Sequence, residues 1–265
     1  MLFVDQVSVS LANTTILDRL EFLALPGEIT AVIGPNGSGK STLMRAISGD
    51  IQYKGKILLN GYDIDTLQRR ELAYMRAVLP QKSVLAFSFN VSEVVHIGLR
   101  NSVGAEANKT INEALRCVGL LGFAQRQYSE LSGGEQQRVQ LARVLAQVWI
   151  PYENGQPRWI FLDEPVSSLD VAYQIEVMNI AKNYARSGGG VIAVMHDLNL
   201  TSMYADNIAV LFCGKKLCQG VPGDVMTDEW LSRAYECNLR VNITPQAPAT
   251  YILPHVAVAK PKSKL

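Results

Sequence analysis

The sequence predicts an α/β protein: a mixed sheet flanked by helices, preceded by an antiparallel β part and interrupted by a helical insertion. Three observations carry this. Short apolar runs that suit buried strands, at 29–33, 159–163 and 191–195, alternate with helix-compatible runs at 42–47 and 171–186. Residues 2–33 read as β throughout. Between about 83 and 146 the β signals stop and helical spacing takes over.

Taken in order, Phe3, Val7, Val9 and Leu11 fall on one face at period two, and a turn at Ala12-Asn13-Thr14 leads into Ile16-Leu17 and Phe22-Leu23. Pro26-Gly27 opens the buried strand that ends at Ile33. Lys56-Ile57-Leu58-Leu59 is a short strand closed by Asn60-Gly61, and Ala77-Val78-Leu79 is another that ends at Pro80-Gln81. In the insertion, Ile111, Leu115 and Val118 recur at helical spacing, and a helix from Glu135 carries Val139, Ala142 and Ala146 on one face. Trp159-Ile160-Phe161-Leu162-Asp163 is a buried strand. The amphipathic run 171–186 is stopped by Ser187-Gly188-Gly189-Gly190. Residues 207–212 and 216–218 form a hairpin across Cys213-Gly214-Lys215, and helix signals return at 222–236. The tail after residue 242 holds Pro245, Pro248, Pro254, Pro261, Lys260, Lys262 and Lys264, and its last residues read as disordered.

Composition narrows the function. Lys plus Arg total 25 against 24 Asp plus Glu, so no broad nucleic-acid-binding face is expected. No run reaches the roughly 18 apolar residues of a membrane span. The first residues lack a basic region followed by an apolar core, so the chain is expected to stay in the cytoplasm. Cys117, Cys213, Cys218 and Cys237 make no C-x-x-C pair. With only His96, His196 and His255 beside them, no zinc spacing arises and reduced cysteines are expected.

Gly34-Pro35-Asn36-Gly37-Ser38-Gly39-Lys40-Ser41 fits the phosphate-binding loop pattern G-x-x-x-x-G-K-[ST], with the required strand before it and helix after it. The glycines let backbone N–H groups converge on phosphate oxygens, and the helix start adds orphan donors and the positive end of its dipole. Lys40 is placed to reach the outer phosphates and the Ser41 hydroxyl to ligate Mg²⁺; Thr42, next in line, completes the set. The fold class is therefore a P-loop NTPase core, and the ligand a nucleoside triphosphate. Phe161-Leu162-Asp163-Glu164 ends a neighbouring strand in two acids: Asp163 suits Mg²⁺, and Glu164 suits a general base that polarises an attacking water.

Leu131-Ser132-Gly133-Gly134-Glu135-Gln136-Gln137-Arg138 opens a helix with a serine and two glycines. The spacing alone fits either a second anion site or simply a well-capped helix. This run resembles the LSGGQ-type signature of the ATP-binding cassette superfamily, with Glu135 in the last place. The order phosphate loop, Gln81, signature, Asp163-Glu164, His196 is similar to that superfamily over residues 1 to about 240.

The resemblance implies roles position by position. Gln81 resembles the Q-loop glutamine, which touches Mg²⁺ or the attacking water. Ser167-Ser168-Leu169-Asp170 resembles the D-loop, which contacts the opposite subunit, and His196 the switch histidine at the γ-phosphate. It also implies a head-to-tail homodimer in which each ATP lies between one phosphate loop and the partner's Ser132, the partner's Gly133 and the partner's Gly134. One position departs from the family: Leu11 stands where an aromatic residue usually stacks on adenine.

The segment Val78-Leu79-Pro80-Gln81 with the run 87–95 resembles cassettes of iron-siderophore, haem and vitamin B12 importers. The extra loop 147–159 is similar to one in bacterial haem importer ATPases. Phe87, Phe89, Val91 and Val94 face either a permease helix or the inside of the insertion. The resemblance implies an ATPase on the cytoplasmic face of the inner membrane that energises haem import. Its partners would be a transmembrane permease dimer and, through the permease, a periplasmic haem-binding protein, with no nucleic acid. A siderophore or cobalamin importer is the alternative, and a soluble cassette protein of translation or DNA repair a more distant one. The expected organisation is a cassette over residues 1–242, with its helical subdomain at about 83–146, and a tail at 243–265.

Overall fold

The structure is a computed structural model that describes residues 1–12, 14–81, 88–99, 104–167, 169–246 and 248–254. Asn13, Phe87, Ser168, His255, Lys260, Pro261, Lys262 and Lys264, singled out above, lie outside the described residues. In chain order the elements are β1 (Leu2–Leu11), β2 (Thr14–Ala24), β3 (Ile29–Ile33), α1 (Lys40–Ile47), β4 (Lys54–Leu59), β5 (Tyr62–Asp63), α2 (Arg69–Met75), β6 (Arg76–Leu79), α3 (Val91–His96), α4 (Ala105–Cys117) and α5 (Gly133–Gln147). They continue with β7 (Tyr152–Glu153), β8 (Gln156–Pro157), β9 (Trp159–Asp163), α6 (Val171–Arg186), β10 (Gly190–Val194), α7 (Leu198–Tyr204), β11 (Asn207–Phe212), β12 (Lys215–Gly220), α8 (Pro222–Val225) and α9 (Asp228–Tyr235).

The central sheet runs β12-β11-β3-β10-β9-β6; all its pairings are parallel except β11 with β12. Each inner strand is buried on both faces and splits its side chains at period two. Ile29, Ala31 and Ile33 of β3, Ile160 and Leu162 of β9, and Val191 and Ala193 of β10 face a core shared with α5, α6 and α7. Val32, Phe161, Ile192 and Val194 face the other way, onto α1 and the antiparallel sheet β2-β1-β4-β5. Two apolar layers thus clamp one sheet, which explains why these strands read as continuous apolar runs.

The period-two face expected for β1 is corrected. Leu2, Val4, Val7 and Val9 are buried, Phe3 is half-buried and Leu11 is 42% exposed. A register shift between Val4 and Val7, with Gln6 at φ 47, inserts a bulge that moves Phe3 and Val7 to opposite faces. The insertion contains α3, α4 and α5, as the helical spacing predicts. Of the two readings left open for its apolar residues, Val91 and Val94 pack inside it, both at 0% exposure.

The extra loop folds into the β7–β8 hairpin, turned by Asn154 and Gly155 with φ 52 and 77. It sits where β9 begins. The Asn60 side chain donates to the Pro157 carbonyl (2.8 Å) and accepts from Trp159 Nε1 (3.0 Å). Arg158 stacks over Tyr74 at 4.2 Å and pairs with Glu153. The hairpin therefore lies at the opposite end of the sheet from the strand ends at Ile33 and Asp163. Among the described residues no helix is long and apolar enough to cross a membrane.

Candidate functional site

The parallel register gathers the predicted residues at one edge. Val194 pairs with Asp163 on one side and with Val32 on the other, and Leu79 pairs with Leu162. Hence the loop after β3, Gln81 after β6, Asp163 and Glu164 at the end of β9 and His196 after β10 all emerge together, in the crevice outside the carboxyl ends of the strands.

The loop 34–39 is a fitted cradle. A Cβ on Gly34 would lie 2.1 Å from the Leu211 carbonyl oxygen, and one on Gly39 would lie 2.6 Å from Leu17 Cδ2. Gly34, Gly37 and Gly39 have φ 145, 79 and 102. Gly39 is the N-cap of α1 and offers no side-chain cap, so the first N–H groups of α1 lack a side-chain acceptor. Lys40 is buried, and its ammonium donates to the Gly34 and Pro35 carbonyls at 2.8 and 2.9 Å. Burial lowers its pKa, and the Glu164 and Asp163 charges pull the other way.

Burial pushes the Asp163 carboxyl up, and the adjacent Glu164 charge adds to it; a Ser41 hydrogen bond, Lys40 and His196 oppose the rise. Asp163 Oδ1 and Ser38 Oγ are buried without a hydrogen-bond partner. An orphaned oxygen on a carboxylate that also bonds the Ser41 hydroxyl, in the first turn after the glycine loop, is a ligand set that fits a hard divalent cation. Among the described residues no cluster of three or more His, Cys, Asp or Glu could hold a metal. Mg²⁺ needs no such cage, since it binds through one or two carboxylates and substrate phosphates.

Glu164 joins three strand ends. Its Oε1 lies 2.7 Å from His196 Nε2 and its Oε2 accepts from Gln81 Nε2 at 2.7 Å. Glu164 is a non-glycine residue at φ 53, a conformation that costs of order 1–3 kcal/mol and clusters at functional sites. His196 is held from behind: Asp197 caps α7, accepting from Asn199 N (2.8 Å) and Leu200 N (2.9 Å).

Other predicted residues stand apart from this cluster. Ser132 caps α5 in a reciprocal capping box: its backbone N–H and hydroxyl both reach Glu135 Oε2, at 2.9 and 2.8 Å. Those bonds hold the Glu135 carboxyl below its usual range. Ser132 and Gly133 are exposed and Gly134 is half-buried. Asp170 caps α6 through Tyr173 N at 3.1 Å. Leu11 lies on the hairpin whose strand β2 touches the loop through Ile16 and Leu17, but Leu11 itself is exposed.

Sequence reasoning missed two glutamines. Gln137 Nε2 donates to the Pro165 carbonyl at 2.8 Å, and Gln174 Nε2 donates to the Val166 and Leu169 carbonyls at 3.2 and 3.1 Å. Both lie near the N-terminal ends of their helices and are half-buried, and nothing in spacing marks them.

Comparison with known proteins points the same way as the geometry. A family model described as ABC transporter matches residues 17–167. The chain is 56% identical to the "Hemin import ATP-binding protein HmuV" of Jannaschia sp. (strain CCS1) over 257 residues, 97% of this chain and 95% of that one. It is 56% identical to the protein of the same description from Roseobacter denitrificans over 251 residues, 95% and 96% of the two. Among solved structures it is similar to cbiO1 from Clostridium perfringens, part of the ABC transporter complex cbiONQ, with TM-score 0.74 and 26% identity over 88% of this chain and 92% of that one. The ADP conformation of MJ1267, an ATP-binding cassette of an ABC transporter, superposes with TM-score 0.77 over 89% and 98% of the chains; at 23% identity this speaks for the fold alone.

Proposed function

The chain belongs to the ABC transporter family, and on that premise we propose that it is the ATP-hydrolysing subunit that energises import of haem through a bacterial inner-membrane transporter. The carrying observation is the set of relatives, 46–56% identical over nearly the whole chain, named for hemin import. As an ABC ATPase the chain binds ATP and works with a transmembrane permease.

The triphosphate lies along the loop 34–39, with Lys40 on its outer phosphates. Ser41, Asp163 and Gln81 would hold Mg²⁺, which would neutralise phosphate charge. Glu164, steered by His196 and Gln81, takes the proton of the attacking water while His196 contacts the γ-phosphate. The exposed Ser132 and Gly133 at the start of α5 suit a second copy's nucleotide, and Asp170 that copy's surface, so the working unit is a head-to-tail homodimer. In that dimer Leu11 packs against the base without aromatic stacking. The cassette spans 1–242, with the helical subdomain at about 83–146 and a tail at 243–265. It sits on the cytoplasmic face of the membrane, and the permease connects it to a periplasmic haem-binding protein.

Reconstitution with the co-purifying membrane subunits tests this. Haem-loaded binding protein should stimulate ATP hydrolysis more than ferric siderophore or cobalamin carried on theirs. Stimulation by either of those, and not by haem, overturns the substrate assignment.

A further inference from the structure

A left-handed backbone at a non-glycine residue persists only where the surroundings over-determine it. Glu164, at φ 53, is such a residue, and while its carboxylate is held by His196 and Gln81, its backbone bonds are long. Its N–H donates to the Val194 carbonyl at 3.3 Å, and its carbonyl accepts from Ser167 N and Oγ at 3.4 and 3.2 Å. The next residue is Pro165, which has no N–H, so its carbonyl is the one backbone hydrogen-bonding group that this residue has to offer. That carbonyl accepts from Gln137 Nε2 at 2.8 Å, the shortest of these bonds.

The donor stands on a rigid element. On α5, Arg138 stacks over Tyr173 of α6 at 4.0 Å, and Gln136 Nε2 reaches the Tyr128 and Leu131 carbonyls at 3.1 and 3.2 Å. A Cβ on Gly134 would meet Leu169 Cδ2 at 3.5 Å, so the first turn of α5 also lies against the segment that follows Glu164. We propose that Gln137 is a positioning residue for hydrolysis: from the helix that begins at Ser132 it holds the Pro165 peptide, and through it the Glu164 carboxylate, against His196 and Gln81. This rests on the reading in which Glu164 acts on the attacking water.

The test uses the full chain and Gln137→Met, which keeps length and removes the N–H donor. Turnover should fall about tenfold or more, as expected for a displaced catalytic group. KM, nucleotide Kd and thermal midpoint should stay within about twofold or a few degrees of wild type. In single turnover, Gln137→Met should cost nothing further in a Glu164→Gln background, because the two residues act as one unit. Wild-type turnover in Gln137→Met overturns the inference, and so does the same fold-loss in both backgrounds or a loss that tracks Kd and midpoint. A wild-type chain that does not hydrolyse ATP sinks the ATPase reading instead, a result the Gln137 comparison does not mimic.

Discussion

Glu164 Oε1 lies 2.7 Å from His196 Nε2, so the acid that follows β9 and the histidine that follows β10 form one unit. The bond exists because β9 and β10 are parallel neighbours in register, Asp163 opposite Val194. With Gln81 on Oε2, both carboxylate oxygens are engaged before any substrate is considered. The carboxylate is thus aimed by two side chains from the two strands beside its own.

Replacing Glu164 by Gln keeps the shape and removes the base. One amide oxygen still accepts, but the NH₂ group turns a donor toward either Gln81 or His196. Turnover should fall by about 10²- to 10⁴-fold, the range of a lost general base, while ATP binding persists and a nucleotide-bound dimer accumulates. Size-exclusion chromatography with ATP and a phosphate-release assay read the two effects. Wild-type turnover in this variant removes Glu164 from the mechanism.

Lys40→Ala deletes a buried ammonium and the two bonds that tie it to the Gly34 and Pro35 carbonyls. Charge-assisted bonds to phosphate are each worth about 1.5–3 kcal/mol, so ATP affinity should drop by at least about tenfold and transport should stop. Uptake by proteoliposomes carrying the variant is the measurement. Uptake that survives means that coupling does not run through this loop.

The loop also has a steric side. A Cβ at Gly34 would sit 2.1 Å from the backbone oxygen of Leu211, at a φ of 145 that side chains rarely adopt. Gly34→Ala must move β11 or the loop, so it should destabilise the chain by about 3 kcal/mol. Denaturant unfolding checks this against Gly37→Ala, where a Cβ meets nothing within 4 Å. Equal losses would locate the cost in backbone strain rather than in the Leu211 contact.

The sequence carried the strands of the central sheet, because strands buried on both faces are written as unbroken apolar runs. The motif G-x-x-x-x-G-K-[ST] marks Lys40, and an apolar run closing in two acids marks Asp163 and Glu164, whereas His196 is marked only by the family resemblance. What the sequence hid depends on three-dimensional context. The bulge at Gln6 breaks the period of β1 without a glycine or proline to announce it. α2 and α7, seven residues each, are too short for helical spacing to declare itself. Gln137 finds Pro165 28 residues away in the chain, a distance no local pattern spans.

Asp228 gives a pH-dependent contact at the other end of the chain. Its carboxylate accepts from Val241 N at 2.6 Å and from Arg240 Nη1 at 2.9 Å, tying the segment after α9 back to the first turn of that helix. The Val241 bond, and then Arg240, hold its carboxyl below the usual range. A depressed folded-state pKa means that the folded chain binds a proton less readily than the unfolded chain. The stabilisation is therefore fully present above the ordinary aspartate value and is lost as pH falls through the lower folded value. Amide exchange at Val241, corrected for its intrinsic pH dependence, should be protected at neutral pH and lose protection under acid conditions. Asp228→Ala should show the unprotected rate at every pH. If Val241 stays protected in that variant, the segment is held by the packing of Leu239 and Val241 on the core and the carboxylate is incidental.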